Sequence, residues 1–508
     1  MNIKGRIVRL LVCLILLGGF PALTAAEQVA LTILHTNDTH GHLLPFSYPG
    51  LVPAGSELAA LPVREDIGGI ARRAAMVKRV RAELEPRGTT VWLVDAGDFS
   101  DGTAFSTEYH GEADIAAMNA AGYTFGTLGN HEFTNSFATL RRLLGLFQYP
   151  VVCANLTETS TGKPLVAESA IRRLGPLKIG IFGLVTQEAK DYPAAKDHVI
   201  IADEIATAQR IAATLRHDVD IVIALSHAGE LTDERIAAAV PGIDVIVGGH
   251  SHTRLPVGAL VWHSDDLKPK EVNGTIIVQA HQWGGELGRL DLLFDKDEGG
   301  VWRVARYRAR LLPITSAVPE DATVAGVVAR YWGPIAAHYG EILGQAAGDF
   351  TDRGDDMAQY NLVADAIRDT VGTEIEVENM GGVRAPLIKG NITRADLATL
   401  DPFDNTVVTF TATGRQLKDL LLQQRPAVSG LRYRIEGGAL TDVSVGGQPL
   451  DESRTYTGAT NSYFAGAALK EIAIATTGKL RRDMLIDYVR KKAVVRPAYD
   501  GRRVIFTP

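Results

Sequence analysis

The stretch from Leu31 to Leu43, LTILHTNDTHGHL, starts as an apolar run and ends on Asn37-Asp38-Thr39-His40. A carboxylate and an imidazole two residues apart, at the carboxyl end of a buried strand, can hold a divalent cation. Alone, Asp-x-His fits a turn Asp beside a surface His better than a metal site, so the pair gains meaning only if other strands deliver more ligands. Four others do. Thr90–Val94 runs into Asp95-Ala96-Gly97-Asp98, and Tyr123–Leu128 into Gly129-Asn130-His131-Glu132-Phe133. Asp220–Leu225 runs into Ser226-His227-Ala228-Gly229, and Asp244–Val247 into Gly248-Gly249-His250-Ser251-His252. The neighbouring glycines permit close approach and unusual backbone angles.

A dinuclear centre needs about seven or eight protein ligands, one of them a bridging carboxylate, for metals roughly 3.5–4 Å apart. Asp38, His40, Asp98, Asn130, His227, His250 and His252 supply such a set. Taken singly, Asp98 reads as a helix cap, Asn130 as a turn residue and His250 as a core histidine. Five strand ends in succession make the joint coincidence small. The donors suit two divalent metal ions drawn from Mn, Zn, Co or Fe, with geometry and availability choosing among them. Nothing resembles a nucleophilic Ser or Cys arrangement.

The elements that must position these residues are legible as well. From Val29 to about Leu312, short β-branched runs (Ala30–Leu34, Thr90–Val94, Leu177–Val185, Thr275–Gln279) alternate with amphipathic stretches such as Ile70–Leu84 and Asp203–Arg216. That alternation predicts an α/β domain with largely buried sheets. Pro313 and Pro319 precede a helical stretch, Asp321 to Tyr339, which reads as a connecting helix. From about Gly348 the pattern is mixed α+β, with a helix near Gln359–Thr370 and strands near Ile375–Glu378, Thr406–Ala412 and Leu431–Ile435. The predicted division is 1–26 signal peptide, 27–315 metal-binding domain, 316–347 linker helix and 348–508 substrate-binding domain.

Composition bounds the partners. The 508 residues are 46% hydrophobic and 22% charged, with net charge −7 and no long basic run, which argues against nucleic-acid or anionic-membrane binding. Lys4, Arg6 and Arg9 before an apolar run Leu10–Phe20, then Thr24-Ala25-Ala26, read as a secretory signal. The run is short for a membrane span, so no stable membrane insertion is expected. Cys13 would leave with the signal, and Cys153 would then stand alone, excluding an internal disulfide. A secreted, periplasmic protein follows, with no obligate protein partner evident.

In the second half, Asn379-Met380-Gly381-Gly382-Val383-Arg384 sets an Arg behind a glycine turn, as phosphate recognition needs. Pro402-Phe403-Asp404-Asn405 and Asn461-Ser462-Tyr463-Phe464 each offer an aromatic, and two rings can clamp a nucleobase. Among the other histidines, His35, His42, His110, His198, His217, His263 and His338 read as surface or core residues, while His281 is a candidate for the cleft.

The set DTH, GD, GNHE, SHAG and GGHSH resembles the calcineurin-like metallophosphoesterases, and its flanks resemble the secreted 5′-nucleotidase branch. The resemblance implies a four-layer αββα metallophosphoesterase domain joined by a linker helix to a smaller α+β domain. It implies that Asp38, His40, Asp98 and His252 hold one metal and Asp98, Asn130, His227 and His250 the other. His131 would be the catalytic non-ligand histidine. In the second domain, NMGGVR is similar to the family's NGGGIR. The likeness assigns substrate contacts to Arg353, Asn379, Arg384, Phe403, Asn405 and Tyr463. The implied reaction is attack of hydroxide on the phosphorus of a small phosphate ester, a nucleotide above all, with hinge motion between domains. Cyclic nucleotides, nucleotide sugars and protein-bound thiosulfate are the alternative substrates, and a non-catalytic periplasmic binding protein is the alternative class. Two departures stand out. The family's Asp three residues after the catalytic His is Thr134 here, so His131 is expected to lack carboxylate support. The family's GGDGY/F segment reads Gly466-Ala467-Ala468-Leu469-Lys470, without the ribose-binding Asp.

Overall fold

Two buried sheets in the first half bring five strand ends to one edge of the molecule. This computed structural model describes residues 27–49, 57–262, 274–297 and 299–506. The expected signal segment, Cys13 and His263 lie outside the described residues. The first sheet contains β1 (Val29–Thr36), β2 (Thr90–Asp95), β3 (Phe125–Gly126) and a later hairpin. The second contains β4 (Ser169–Leu174), β5 (Leu177–Val185), β6 (Ile221–His227), β7 (Val245–Gly248), β8 (Ala259–Trp262) and β9 (Gly274–Val278). The hairpin β10 (Glu286–Lys296) and β11 (Trp302–Pro313) returns to the first sheet. The strand orders are β11-β10-β1-β2-β3 and β8-β9-β7-β6-β5-β4. Within them β1, β2 and β3 run parallel, as do β5, β6, β7 and β9, so their carboxyl ends share one side.

Strand periodicity divides the apolar residues between two cores. In β2, Trp92 and Val94 face the space between the sheets, where they meet Ile179, Ile223 and Val247, whereas Val91 and Leu93 face the helices. Both faces are covered, which is why these strands are nearly continuous apolar runs. The helix Ile70–Leu84 covers the first sheet, and Glu204–Arg216 with Glu230–Ala239 cover the second. The result is the expected four-layer αββα stack.

The helix Ala322–Tyr339, capped by Asp321, packs onto the first domain's outer helices through Val324 and Val328. Its far end meets the second domain, where Ile335 and Tyr339 adjoin Ala398. The connector is therefore docked along its length. The second domain centres on a five-stranded sheet, in the order Ala427–Ser429, Ile375–Glu378, Thr455–Asn461, Thr406–Thr413, Ile474–Leu480, flanked by the helix Ala358–Val371. Tyr123–Leu128, read as a strand, forms only the two paired residues of β3. Phe125 and Gly126 pair with β2 before the chain turns at Gly129.

Candidate metal centre and substrate cleft

At the carboxyl edge the chain repeatedly enters the left-handed region of backbone space. Asp38, His40, Asp98, Asp101, His250 and His252 all have positive φ. For residues with a Cβ that conformation is costly and persists only where the surroundings enforce it. Gly129 shows why glycine is needed beside them: a Cβ there would sit 2.1 Å from Asp98 Oδ1. At Gly249 a Cβ would lie 2.9 Å from both Ala96 O and His227 Nδ1.

Seven side chains converge where the two sheets' ends meet. One ligand atom each from Asp38, His40 and His252 lie within 4.8 Å of one another, and so do those from Asp98, His227 and His250. Asn130 joins the second group, its Oδ1 lying 3.0 Å from His250 Nδ1. Asp98 sits between the groups, with Oδ2 3.7 Å from His40 Nε2 and 3.1 Å from His227 Nε2. All seven sequence-predicted ligands are thus brought together.

The donor set fits cations. His227 Nε2 is buried with no hydrogen-bond partner among the described residues, and it faces Asp98. Its Nδ1 is engaged by the Ala96 carbonyl at 2.7 Å, which leaves the Nε2 lone pair for a ligand. His40 is oriented the same way, Nδ1 against Ser100 O, with Nε2 only 3.2 Å from His252 Nε2. Burial lowers His227, but the carboxylates of Asp98 and Asp38 outweigh it and carry the imidazole up to about 10. Burial keeps His40 well below its usual range, against the upward pull of Asp98. Burial also pushes the Asp38 carboxyl up, and the surrounding imidazoles more than reverse that.

Several supporting residues escaped sequence reasoning. Asn37 donates to Asp38 Oδ2 at 2.7 Å and to the His281 carbonyl, fixing the first ligand. Glu132 ties two strand ends together. Its Oε2 accepts from the backbone N–H groups of Asp98 and Gly129 (2.9 and 2.7 Å), and its Oε1 accepts from Ser100 N and Oγ. Tyr192 receives an N–H of Asn130. The only available signal was Glu132's place inside GNHE. His281 is buried behind Asp38 and does not line the cleft. His110, read as a bland histidine, does line it.

The expectation for His131 needs correction. Its Nδ1 does meet a carboxylate, Asp101 Oδ2 at 2.7 Å, supplied by the loop after β2. Thr134 Oγ1 donates to that same oxygen. The His131 ring lies edge-on to His40, with Nε2 3.9 Å from Asp98 Oδ2.

The second domain closes over this centre. Arg384 Nη2 approaches His40 Nε2 to 3.3 Å, and Phe403 stacks on His131 with centroids 6.1 Å apart and planes 22° apart. A cavity of about 720 Å³ lies between the domains, lined by Asn130, His131 and His250 on one side and by Asn379, Arg384, Phe403, Asn405 and Tyr463 on the other. Asn379 is anchored by Asn461, and Asn405 by Ser462. Arg481 underlies both substrate loops, gripping Asp401, Glu378 and the Gly382 carbonyl. Arg353 is the exception. It is exposed on a short hairpin with its guanidinium on the Tyr499 ring, 3.8 Å from the centroid, and takes no part in lining the cavity.

Fold and site together define a metal-dependent phosphoester hydrolase. Residues 31–254 match the family model of the calcineurin-like phosphoesterases, and residues 342–486 match that of the 5′-nucleotidase C-terminal domain. The first domain thus resembles the calcineurin-like phosphoesterases and the second the 5′-nucleotidase C-terminal domain. Among curated relatives, Protein UshA of Escherichia coli (strain K12) is 26% identical, with 91% of each chain covered. A 5′-nucleotidase of Diplobatis ommata is 28% identical, covering 95% of this chain and 91% of its own. The crystal structure of a 5′-nucleotidase precursor from Thermus thermophilus superposes with a TM-score of 0.82 at 29% identity, covering 94% of this chain and 100% of that one.

Proposed function

We propose that the chain is a secreted, periplasmic phosphohydrolase that uses two divalent cations to release phosphate from nucleotides. The observation that carries this reading is the meeting of Arg384 and Phe403, from the second domain, with His40 and His131 of the first, over one cluster of seven donors. A guanidinium for phosphate and an aromatic face for a base therefore open onto the same cavity. The names of the relatives agree with it. Among the described residues, no helix is long and apolar enough to cross a membrane. The basic and apolar run at residues 4–20 supports export.

Asp38, His40, Asp98 and His252 would hold one cation, and Asp98, Asn130, His227 and His250 the other. Bound there, divalent cations supply charge to the phosphoryl oxygens and a nucleophile at neutral pH. The chain's own residues do the rest. Arg384, fixed by its backbone N–H on Leu400 O, offers a planar fork to the phosphate oxygens. His131, with Nε2 turned toward the ligand cluster, serves the oxygen of the leaving group. Phe403 and Tyr463 hold the base, while Asn379 and Asn405 supply amide contacts. Arg353 has no place in this pocket.

The test is a release assay with purified protein reconstituted separately with Mn, Co, Zn and Mg. The substrates are AMP, a 2′,3′-cyclic nucleotide, a nucleotide sugar and bis-p-nitrophenyl phosphate. Phosphate release from AMP at the highest kcat/KM is expected. Preference for the cyclic nucleotide or the nucleotide sugar would overturn the monoesterase assignment, and no turnover of any substrate with any metal would overturn the whole reading.

A further inference from the structure

The loop that follows β2 carries a carboxylate that the ligand set does not use. Asp101 is in the left-handed region, φ 69°, with its backbone N–H held by Ser106 Oγ at 2.8 Å. A non-glycine residue kept in that conformation at a site edge points to a role for its side chain. One oxygen of that side chain receives two groups, His131 Nδ1 at 2.7 Å and Thr134 Oγ1 at 2.8 Å. Thr134 Oγ1 is also 2.8 Å from the His131 carbonyl, so the hydroxyl links the turn to the carboxylate. Three side chains from two loops therefore meet at Asp101 Oδ2.

We propose that Asp101 is the positioning residue of His131 and that Thr134 clamps it, so that the acid–histidine pair is assembled across two loops. The geometry supports a directional role. With Nδ1 tied to Asp101, the ring presents Nε2 to the cavity, 3.9 Å from Asp98 Oδ2. Phe403 stacks on one of its faces, and His40 meets it in a T-shaped contact. Freed of Asp101, the ring can rotate about its Cβ–Cγ bond and lose that aim. Thr134 Oγ1 reaches the same oxygen as His131 Nδ1, so a carboxylate at position 134 would arrive within reach of the ring from the other loop. The exchange of Asp101 and Thr134 is thus predicted to be reversible in function.

This inference rests on the proposed function insofar as His131 serves the leaving group, so its test includes a measurement that needs no turnover. Asp101→Asn keeps the volume and removes the charge. It is expected to lower kcat about 10²-fold or more for a nucleoside monophosphate, whose leaving alkoxide needs help. For p-nitrophenyl phosphate, a good leaving group, the loss should be below about tenfold. Metal content should be unchanged. The double variant Asp101→Asn with His131→Ala should be no slower than His131→Ala alone, because the two act as one unit. Asp101→Thr with Thr134→Asp should recover most of the loss. Thr134→Val should lower activity in the same pattern by a smaller factor and leaves the carboxylate in place should Asp101→Asn fold poorly. In nitrogen NMR of histidine-labelled protein, the downfield Nδ1–H resonance of His131 should disappear in Asp101→Asn. Equal losses for both substrates, additivity with His131→Ala, or an unchanged His131 resonance would each overturn the proposal. Should the wild type hydrolyse no phosphate ester, the functional reading falls, and the resonance alone decides the Asp101 contact.

Discussion

Glu132→Gln is the perturbation whose cost the structure defines most closely. The carboxylate is buried and accepts from four donors, two at each oxygen. Glutamine retains the shape but offers one acceptor oxygen and one NH₂ group. Turned toward Asp98 and Gly129, the NH₂ leaves two backbone N–H groups without an acceptor. Turned toward Ser100, it leaves one, because the Ser100 hydroxyl can rotate and accept. A buried donor left unpaired costs about 1–3 kcal/mol, so the second orientation wins and the variant should lose about 1–3 kcal/mol. Glu132→Ala leaves three N–H groups bare and should lose at least twice as much. The same bonds fix the left-handed backbone of Asp98, so metal affinity should fall about 10- to 100-fold, as it does when a ligand's support is removed. Trp92, Trp262, Trp283, Trp302 and Trp332 are the chain's five tryptophans, and all precede the second domain. Four lie in the first domain and Trp332 in the connecting helix, so their fluorescence during urea unfolding of the metal-free protein follows chiefly that part of the chain, with metal retention measured by mass spectrometry after dialysis. Glu132→Gln unfolding with the wild-type midpoint and retaining metal equally would refute this account of how the two loops are joined.

Two further outcomes follow from the same contacts. Arg384→Ala should reduce kcat/KM for a nucleoside monophosphate about ten- to 150-fold, the worth of a charge-assisted hydrogen bond of about 1.5–3 kcal/mol, without altering metal content; Arg384→Lys should recover only part. Asp233 is buried, with Oδ1 receiving Ser226 Oγ, and burial pushes its carboxyl up to about 8. Its folded-state value is raised above the unfolded one, so its contribution to stability is full below about pH 4 and is lost as pH rises through about 8. The stability of Asp233→Asn relative to wild type should therefore grow from pH 5 to pH 8, by up to about 1.4 kcal/mol per pH unit. A difference that stays flat across chemical unfolding at those pH values would contradict the buried-acid reading.

The sequence disclosed the first domain well because its strands are buried on both faces and end in reactive residues. Ile70–Leu84 and Leu177–Val185 coincide with their observed limits. All seven expected donors converge because parallel strands place their carboxyl ends together. What was hidden depends on tertiary contact. Asp101 and His131 lie 30 positions apart on different loops, and only the folded backbone sets Nδ1 against the carboxylate. The position three residues after His131 was read correctly as lacking an acid, yet the acid arrives from elsewhere. Glu132 supports loops on either side of β3, which no local pattern encodes. Arg353 was placed in the pocket by likeness of position along the chain, whereas its hairpin turns it onto Tyr499. Short β3 shows the same limit, since an apolar run yields only two paired residues where the site loop begins.

The central claim is that Asp98 joins two cation sites into one reacting centre. The most direct measurement is metal stoichiometry and AMP hydrolysis in Asp98→Asn beside wild type, with secondary structure followed by circular dichroism. The account predicts two cations per wild-type chain, fewer than two in the variant, an unchanged fold and no detectable hydrolysis. Full hydrolysis by Asp98→Asn, or a single cation sufficing for wild-type turnover, would contradict it.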